Sequence, residues 1–237
     1  MGVTVAKLKI MCARSMHEVV TALAYDFTTE TRHEAELSFG TVGALQKRLD
    51  AGETADVVVS STTAIYGLEV RGALAAGSSA TLATVRIGVA IREGAPAPDI
   101  STPEAFRQTL VDAKQIAFSD AAVGGSAGMY LARMFVELGL ADTIKAKGMP
   151  QQSGGEVATR VANGEADIGM TLIAEIVPIN GARVLGPLPA PLGSDTTHSA
   201  AVMAASNVRG AALAFIAALR RPDRRTVWKD AGFDPAS

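Results

Sequence analysis

The 237 residues carry a formal charge of −2, with 48% hydrophobic, 19% charged and only 5% aromatic side chains. That balance allows a substantial core in one large domain or two lobes, and it excludes a basic nucleic-acid surface or a row of base-stacking aromatics. The single cysteine, Cys12, rules out an internal disulfide, and no apolar run approaches the roughly 20 residues that span a bilayer.

Leu8 to Cys12 reads as a strand that runs into the turn Ala13-Arg14-Ser15. A helix is expected to start near Ser15, its apolar face made by Val20, Leu23, Ala24 and Phe27. Glu36 to Phe39 is a second strand, and Val42, Leu45 and Leu49 mark a helix that stops at Gly52. Asp56 to Ser60, with Val57-Val58-Val59, has the character of a strand buried on both faces, and Thr62 to Val70 that of a helix. Val85, Ile87, Val89 and Ile91 alternate along a strand over residues 85–92. Thr102-Pro103-Glu104 is a helix start, with a hydroxyl cap, proline at the first position and an acid in the first turn.

Lys114 to Ser119 is the next strand, and Gly124-Gly125-Ser126 opens a helix through Leu138. Residues 145–150 form a short strand or connector, and Ser153-Gly154-Gly155 opens a helix ending near Gly164. Asp167 to Leu172 and Arg183 to Leu188 are strands, His198 to Ala204 a returning strand, and Arg209 to Leu219 and Pro222 to Ala231 the last helices. Strands alternating with helices predict an α/β fold with mostly parallel sheet flanked by helices. The strands at 85–92 and 198–204 are placed to cross between two lobes, one of residues 1–84 plus 199–237 and one of residues 85–198.

Four polar loops follow strands and open helices: Ala13-Arg14-Ser15, Gly40-Thr41-Val42-Gly43, Gly124-Gly125-Ser126-Ala127-Gly128 and Ser153-Gly154-Gly155-Glu156. Helix N-termini present free N–H groups and a positive dipole end, and open α/β sheets bind ligands beyond the carboxyl ends of their strands. Two loops from each lobe would close on one anion in a cleft. Arg14 adds a planar guanidinium suited to a carboxylate or oxoanion. Three scattered histidines and one cysteine make no zinc site, and neither a nucleophile elbow nor a phosphate loop occurs, so no metal and no cofactor are expected. Lys7 and Lys9 interrupt the early apolar run, so the N-terminus does not read as a signal peptide. The expectation is a cytoplasmic protein, or a periplasmic one if a leader has been removed.

Ala13-Arg14-Ser15-Met16, Leu37 through Leu45, Ala55 through Ser60, Ser126-Ala127-Gly128-Met129-Tyr130, Gly164 through Gly169 and Ala231-Gly232-Phe233 occur in an order and spacing that resembles type II periplasmic binding proteins, the molybdate-binding group in particular. The resemblance implies a two-lobed fold with the ligand in the cleft between lobes. It implies a ligand-donating serine at Ser15, a second serine position occupied here by Val42, and backbone N–H donors at Ala127 and Val157. Leu172 falls where the molybdate binders often carry a tyrosine. With two hydroxyl donors missing and Arg14 where a small residue is usual, a small organic carboxylate fits better than molybdate. Ser15, Thr41, Ser126 and the backbone around Ala127, Gly155 and Val157 would supply the donors beside Arg14.

The chain is also similar to aconitate isomerase, which moves a proton within an unsaturated tricarboxylate. Candidates for a proton carrier are Cys12, His17, Glu156, Glu175 and His198, and the sequence does not choose among them. Each has a plain structural reading too: Glu156 suits the helix dipole, Glu175 a cap or hinge, Cys12 a small buried hydrophobe. Two functions therefore stand side by side. One is a solute-binding protein for a small anion, with an ABC-transporter permease as partner if exported. The other is a cytoplasmic isomerase or tautomerase of an unsaturated di- or tricarboxylate.

Overall fold

The structure, a computed structural model, describes residues 5–236. The chain forms two compact units: one runs to Thr84 and resumes at Thr196, the other is Val85–Asp195. Thr196, Thr197 and His198 thus belong with the first unit, three residues before the expected return at Ser199.

In the first unit β1 (Lys7–Ala13), β2 (Glu34–Gly40) and β3 (Val57–Ser61) pair in parallel in the order β2-β1-β3. β3 is buried through Ser60, as its Val57-Val58-Val59 run requires. Helix α1 (His17–Thr31) connects β1 to β2, and α2 (Val42–Asp50) carries the chain back to β3, which leads directly into α3 (Thr62–Val70). The strand order therefore reverses between β1 and β3, and their carboxyl ends frame a crevice. One face of this sheet packs Met11, Val58 and Ala201 against Leu45 of α2 and Ile65 and Leu68 of α3.

The second unit begins within β4 (Ala80–Arg92), followed by α4 (Pro103–Asp112), β5 (Ile116–Ser119), α5 (Ser126–Glu137), α6 (Ala141–Lys147), β6 (Gly148–Gln151), α7 (Gly154–Ala162), β7 (Ile168–Leu172), α8 (Ile173–Ile176) and β8 (Ala182–Pro187). β6, β5 and β7 are parallel in that order, so this sheet reverses between β5 and β7. β4 pairs antiparallel with β7 and with β8. Helix α7 lies tightly on β7, because a Cβ on Gly169 would stand only 2.7 Å from Val161.

The first unit resumes with β9 (Asp195–Val202), antiparallel to β3, then α9 (Arg209–Leu219), α10 (Arg225–Asp230) and β10 (Asp234–Pro235). Phe27 of α1 meets Phe215 of α9 edge-on, and the buried Trp228 donates its ring N–H to the Leu219 carbonyl at 2.9 Å.

Several local expectations shift. α1 starts at His17, because Arg14–Met16 forms a short 3-10 turn first. The connector at 145–150 divides into the end of α6 and β6, and the returning strand spans Asp195–Val202 rather than 198–204. The last helix is a 3-10 turn, Pro222–Arg224, ahead of α10. These are boundary effects at polar termini, where apolar periodicity carries little information.

Candidate functional site

β1 delivers Ala13, Arg14 and Ser15 to the crevice of the first unit. Arg14 is exposed, and its guanidinium makes no ion pair or hydrogen bond among the described residues. Ser15 does not cap α1: the cap position is Met16, without a side-chain bond. Instead its Oγ stands 3.2 Å from Nε2 of His198.

His198 reaches this point through register. β9 runs antiparallel to β3 with His198 opposite Ser61 and Ser199 opposite Ser60, so the start of β9 meets the carboxyl end of β3. The imidazole is 1% exposed and packs edge-on against Phe233, with ring centres 6.0 Å apart. Burial pushes its pKa down to about 4, opposed in part by the Thr196 backbone. Nδ1 is buried without a hydrogen bond of acceptable geometry. A neutral imidazole whose Nε2–H donates to Ser15 would leave the serine hydroxyl free to donate onward. The other tautomer would draw that hydroxyl proton to itself.

Hydroxyls complete this crevice. Ser61 accepts from Ala64 N at 3.3 Å and so caps α3. Thr62 Oγ1 lies 2.8 Å from Ser199 Oγ and donates to the Thr197 carbonyl at 3.1 Å. Ser61 and Thr62 were missed by the sequence reading, although a polar pair opening a helix straight after an apolar strand is the pattern it used elsewhere. Thr41 caps α2, accepting from Ala44 N at 3.2 Å, and Val42 is the first residue of that helix. His17 lies on the exposed side, its Nδ1 2.9 Å from Glu18 Oε1 and its ring against Phe39. Cys12 is wholly buried in β1, and desolvation pushes its thiol above the ordinary range, so it is a packed, protonated thiol.

In the second unit, α5 opens at Ser126 behind the cap residue Gly125, and Ala127 is buried in its first turn. A Cβ on Gly128 would lie 2.5 Å from the Asp120 carbonyl, so glycine lets α5 seat directly on the chain leaving β5. At α7, Ser153 Oγ accepts from Glu156 N at 3.3 Å, and Glu156 Oε2 accepts from Gln152 N at 3.1 Å, a reciprocal helix start. The Val157 N–H is already bonded to the Ser153 carbonyl at 3.2 Å, whereas Gly154 and Gly155 occupy the first helical positions, whose N–H groups have no partner inside a helix.

The carboxyl ends of β5 and β7 carry a chain of hydrogen bonds. Ser119 Oγ donates to Thr171 Oγ1 at 2.9 Å, and Thr171 donates to Glu175 Oε2 at 2.8 Å. Ser119 and Thr171 are buried, and Glu175 is half-buried. Leu172, buried, ends β7 just before α8. A separate cavity of about 460 Å³ lies at the opposite end of these strands, lined by Arg92, Lys114, Pro96 and Pro98, and includes none of Ser119, Thr171 and Glu175. Among the described residues no group of three His, Cys, Asp or Glu side chains could hold a metal, and no helix is long and apolar enough to cross a membrane.

Comparison with known proteins places the chain. The family model for bacterial extracellular solute-binding proteins matches residues 8–234. An aconitate isomerase from Pseudomonas sp is 34% identical over 195 residues, covering 81% of this chain and 72% of that protein. The periplasmic molybdate-binding protein of Azotobacter vinelandii superposes with a TM-score of 0.78 at 21% identity, over 97% of this chain and all 100% of that one. The sulfate-binding protein SubI of Mycobacterium tuberculosis gives 0.77 at 18% identity, over 98% and 88%. The chain belongs to the bacterial extracellular solute-binding protein family and has the type II periplasmic-binding fold.

Proposed function

We propose that this protein binds a small organic anion carrying two or three carboxylates, with Arg14 as the group that selects a carboxylate over a compact inorganic oxoanion. The observation that carries this reading is the unengaged guanidinium of Arg14 beside Ser15, at the strand reversal of the first unit. A planar fork matches a carboxylate in two parallel hydrogen bonds. Ser15, Thr41 and the start of α3 offer neutral donors around it. The second unit carries a donor set of its own in Ser126 and the first N–H groups of α5 and α7. Molybdate and sulfate binding belong to the structural neighbours. The family's extracellular description favours an exported protein that hands its ligand to a membrane permease.

A thermal-shift panel of molybdate, tungstate, sulfate and di- and tricarboxylates tests this. A ligand present at 100 times its dissociation constant adds about 2.7 kcal/mol of stability. A shift with molybdate or tungstate alone would reject the carboxylate.

A second reading is favoured by the 34% identity to an aconitate isomerase: the protein turns over an unsaturated tricarboxylate by moving a proton. It predicts product formation and uptake of deuterium from heavy water, both visible by NMR. A ligand recovered unchanged and unlabelled would leave the binding role alone.

A further inference from the structure

We propose that Glu175 is the proton carrier of that second reading, acting on an unsaturated tricarboxylate. The proposal rests on the isomerase reading and goes beyond it by selecting one residue and its supporting groups.

The argument begins with how Glu175 is held. β7 passes without a loop into α8, so Glu175 sits within one helical turn of the strand's carboxyl end. The two hydroxyl protons of Ser119 and Thr171 point the same way along the chain and end on Oε2 of Glu175. Both hydroxyls are buried, so this alignment is fixed by packing rather than by solvent. Helix α7 then starts against the same oxygen: a Cβ on Gly154 would stand 2.2 Å from Glu175 Oε2 and 2.3 Å from Thr171 Oγ1. Glycine at this position is what allows the positive end of α7 to approach a carboxylate so closely. Two aligned hydroxyls and a helix N-terminus thus converge on one carboxyl oxygen. The fold has therefore set a carboxylate of its own at a place built for anions, at the carboxyl ends of the two strands between which this sheet reverses.

The other candidates lack this combination. Cys12 is a sealed thiol, His17 is exposed and engaged with Glu18, and Glu156 is exposed and engaged in the α7 start. His198 is enclosed, with Nε2 on Ser15. Of these five, Glu175 alone is both half-buried and held by buried side-chain hydroxyls.

The step balances without any co-reactant. Glu175 takes a proton from the methylene carbon, and the C–H electron pair becomes a new C=C bond. The old double-bond pair moves toward the conjugated carboxylate, giving a dienolate. Glu175 then returns the proton to the former vinylic carbon, and the pair of electrons flows back to form that C–H bond. The product is an isomer of the substrate, and the carboxylate is regenerated. Thr171 is a positioning residue, since it acts only through Glu175.

The test uses trans-propene-1,2,3-tricarboxylate with the full chain, following turnover by NMR and binding by calorimetry. Glu175→Gln is expected to lower kcat by about 10²- to 10⁴-fold while the dissociation constant stays within about threefold of wild type. Glu175→Asp, whose carboxylate is set back by one carbon, should lower kcat less, and it carries the test should the amide variant not fold. Thr171→Val should move the acid limb of the kcat–pH profile upward, because the carboxylate loses a stabilising donor. Wild-type kcat in Glu175→Gln or Glu175→Asp overturns the assignment while leaving the isomerase reading intact. Loss of binding in parallel with kcat also overturns it, making Glu175 a ligand-holding residue. Absence of turnover and of deuterium uptake in the wild-type protein overturns the isomerase reading itself, and this proposal with it.

Discussion

Ser15 and His198 are 183 residues apart in the chain, yet Ser15 Oγ lies 3.2 Å from His198 Nε2. The contact joins the turn after the first strand to a strand near the end of the chain, and it sits beside the one arginine of that turn. It also explains why an imidazole is tolerated in a site proposed for anions. Enclosed against Phe233, His198 stays neutral and acts as a hydrogen-bonding scaffold for the serine rather than as a charge.

This burial makes stability depend on pH. The pKa of His198 is depressed from 6.5 to about 4 in the folded protein, so the unfolded chain binds the extra proton first as pH falls. Stability from this group is complete above about pH 6.5 and is lost as the pH falls toward 4, by at most about 3 kcal/mol. Urea midpoints measured between about pH 7.5 and pH 4 should fall steeply across that window. His198→Gln should flatten the loss, and an unchanged slope would remove His198 as its source.

Ser15→Ala leaves the buried Nε2 of His198 without its partner. A destabilisation of about 1–3 kcal/mol is expected at neutral pH, read from the urea midpoint at constant m-value. A change within experimental error would mean that water or another hydroxyl replaces Ser15.

Arg14→Ala should separate binding from folding. The side chain is exposed and holds no partner among the described residues, so stability should change by no more than about 0.5 kcal/mol. Carboxylate affinity should fall by roughly 10- to 100-fold, the worth of a charged hydrogen bond, as read by calorimetry. Arg14→Lys should recover only part of it, because an ammonium cannot form the two-point fork. Full affinity in Arg14→Ala would take Arg14 out of the site.

Adjacent glycines of α7 should respond in opposite directions. Gly154→Ala forces a methyl into Glu175 and Thr171 and should cost about 1–3 kcal/mol. Gly155→Ala meets nothing within 4 Å and should stabilise the helix by up to about 1 kcal/mol. Thermal unfolding of the two variants checks the contrast. Equal effects would contradict the placement of Glu175 at the helix start.

Cys12 should resist a thiol reagent in the folded protein and react fully in denaturant. It is wholly buried, and desolvation holds it as the thiol rather than the reactive thiolate. Rapid labelling under native conditions would show that β1 opens readily.

Local chemistry was legible in the sequence. The Val57-Val58-Val59 run gave β3, and α3 spans Thr62–Val70 as its periodicity indicates. Thr102 caps its helix as expected, and Ser153 opens α7 as expected and caps it, because a cap acts within three residues of itself. Arg14 stood out for the same reason: a guanidinium next to a serine after an apolar strand is visible without any fold. The start of α1 was the exception, since a 3-10 turn over Arg14–Met16 intervenes and the Ser15 hydroxyl turns to His198.

The sequence by itself determined the alternation of strands and helices, the family resemblance, and the polar turns at which strands end. Tertiary structure decided which of those turns and side chains meet. The pairing of Ser15 with His198 depends on β9 running antiparallel to β3 with His198 opposite Ser61. The Ser119–Thr171–Glu175 chain depends on β5 and β7 being neighbours although three helices and a strand separate them in sequence. Strand order and register are set by burial of whole faces rather than by local propensity, so contacts of this kind emerge only once the sheets are assembled.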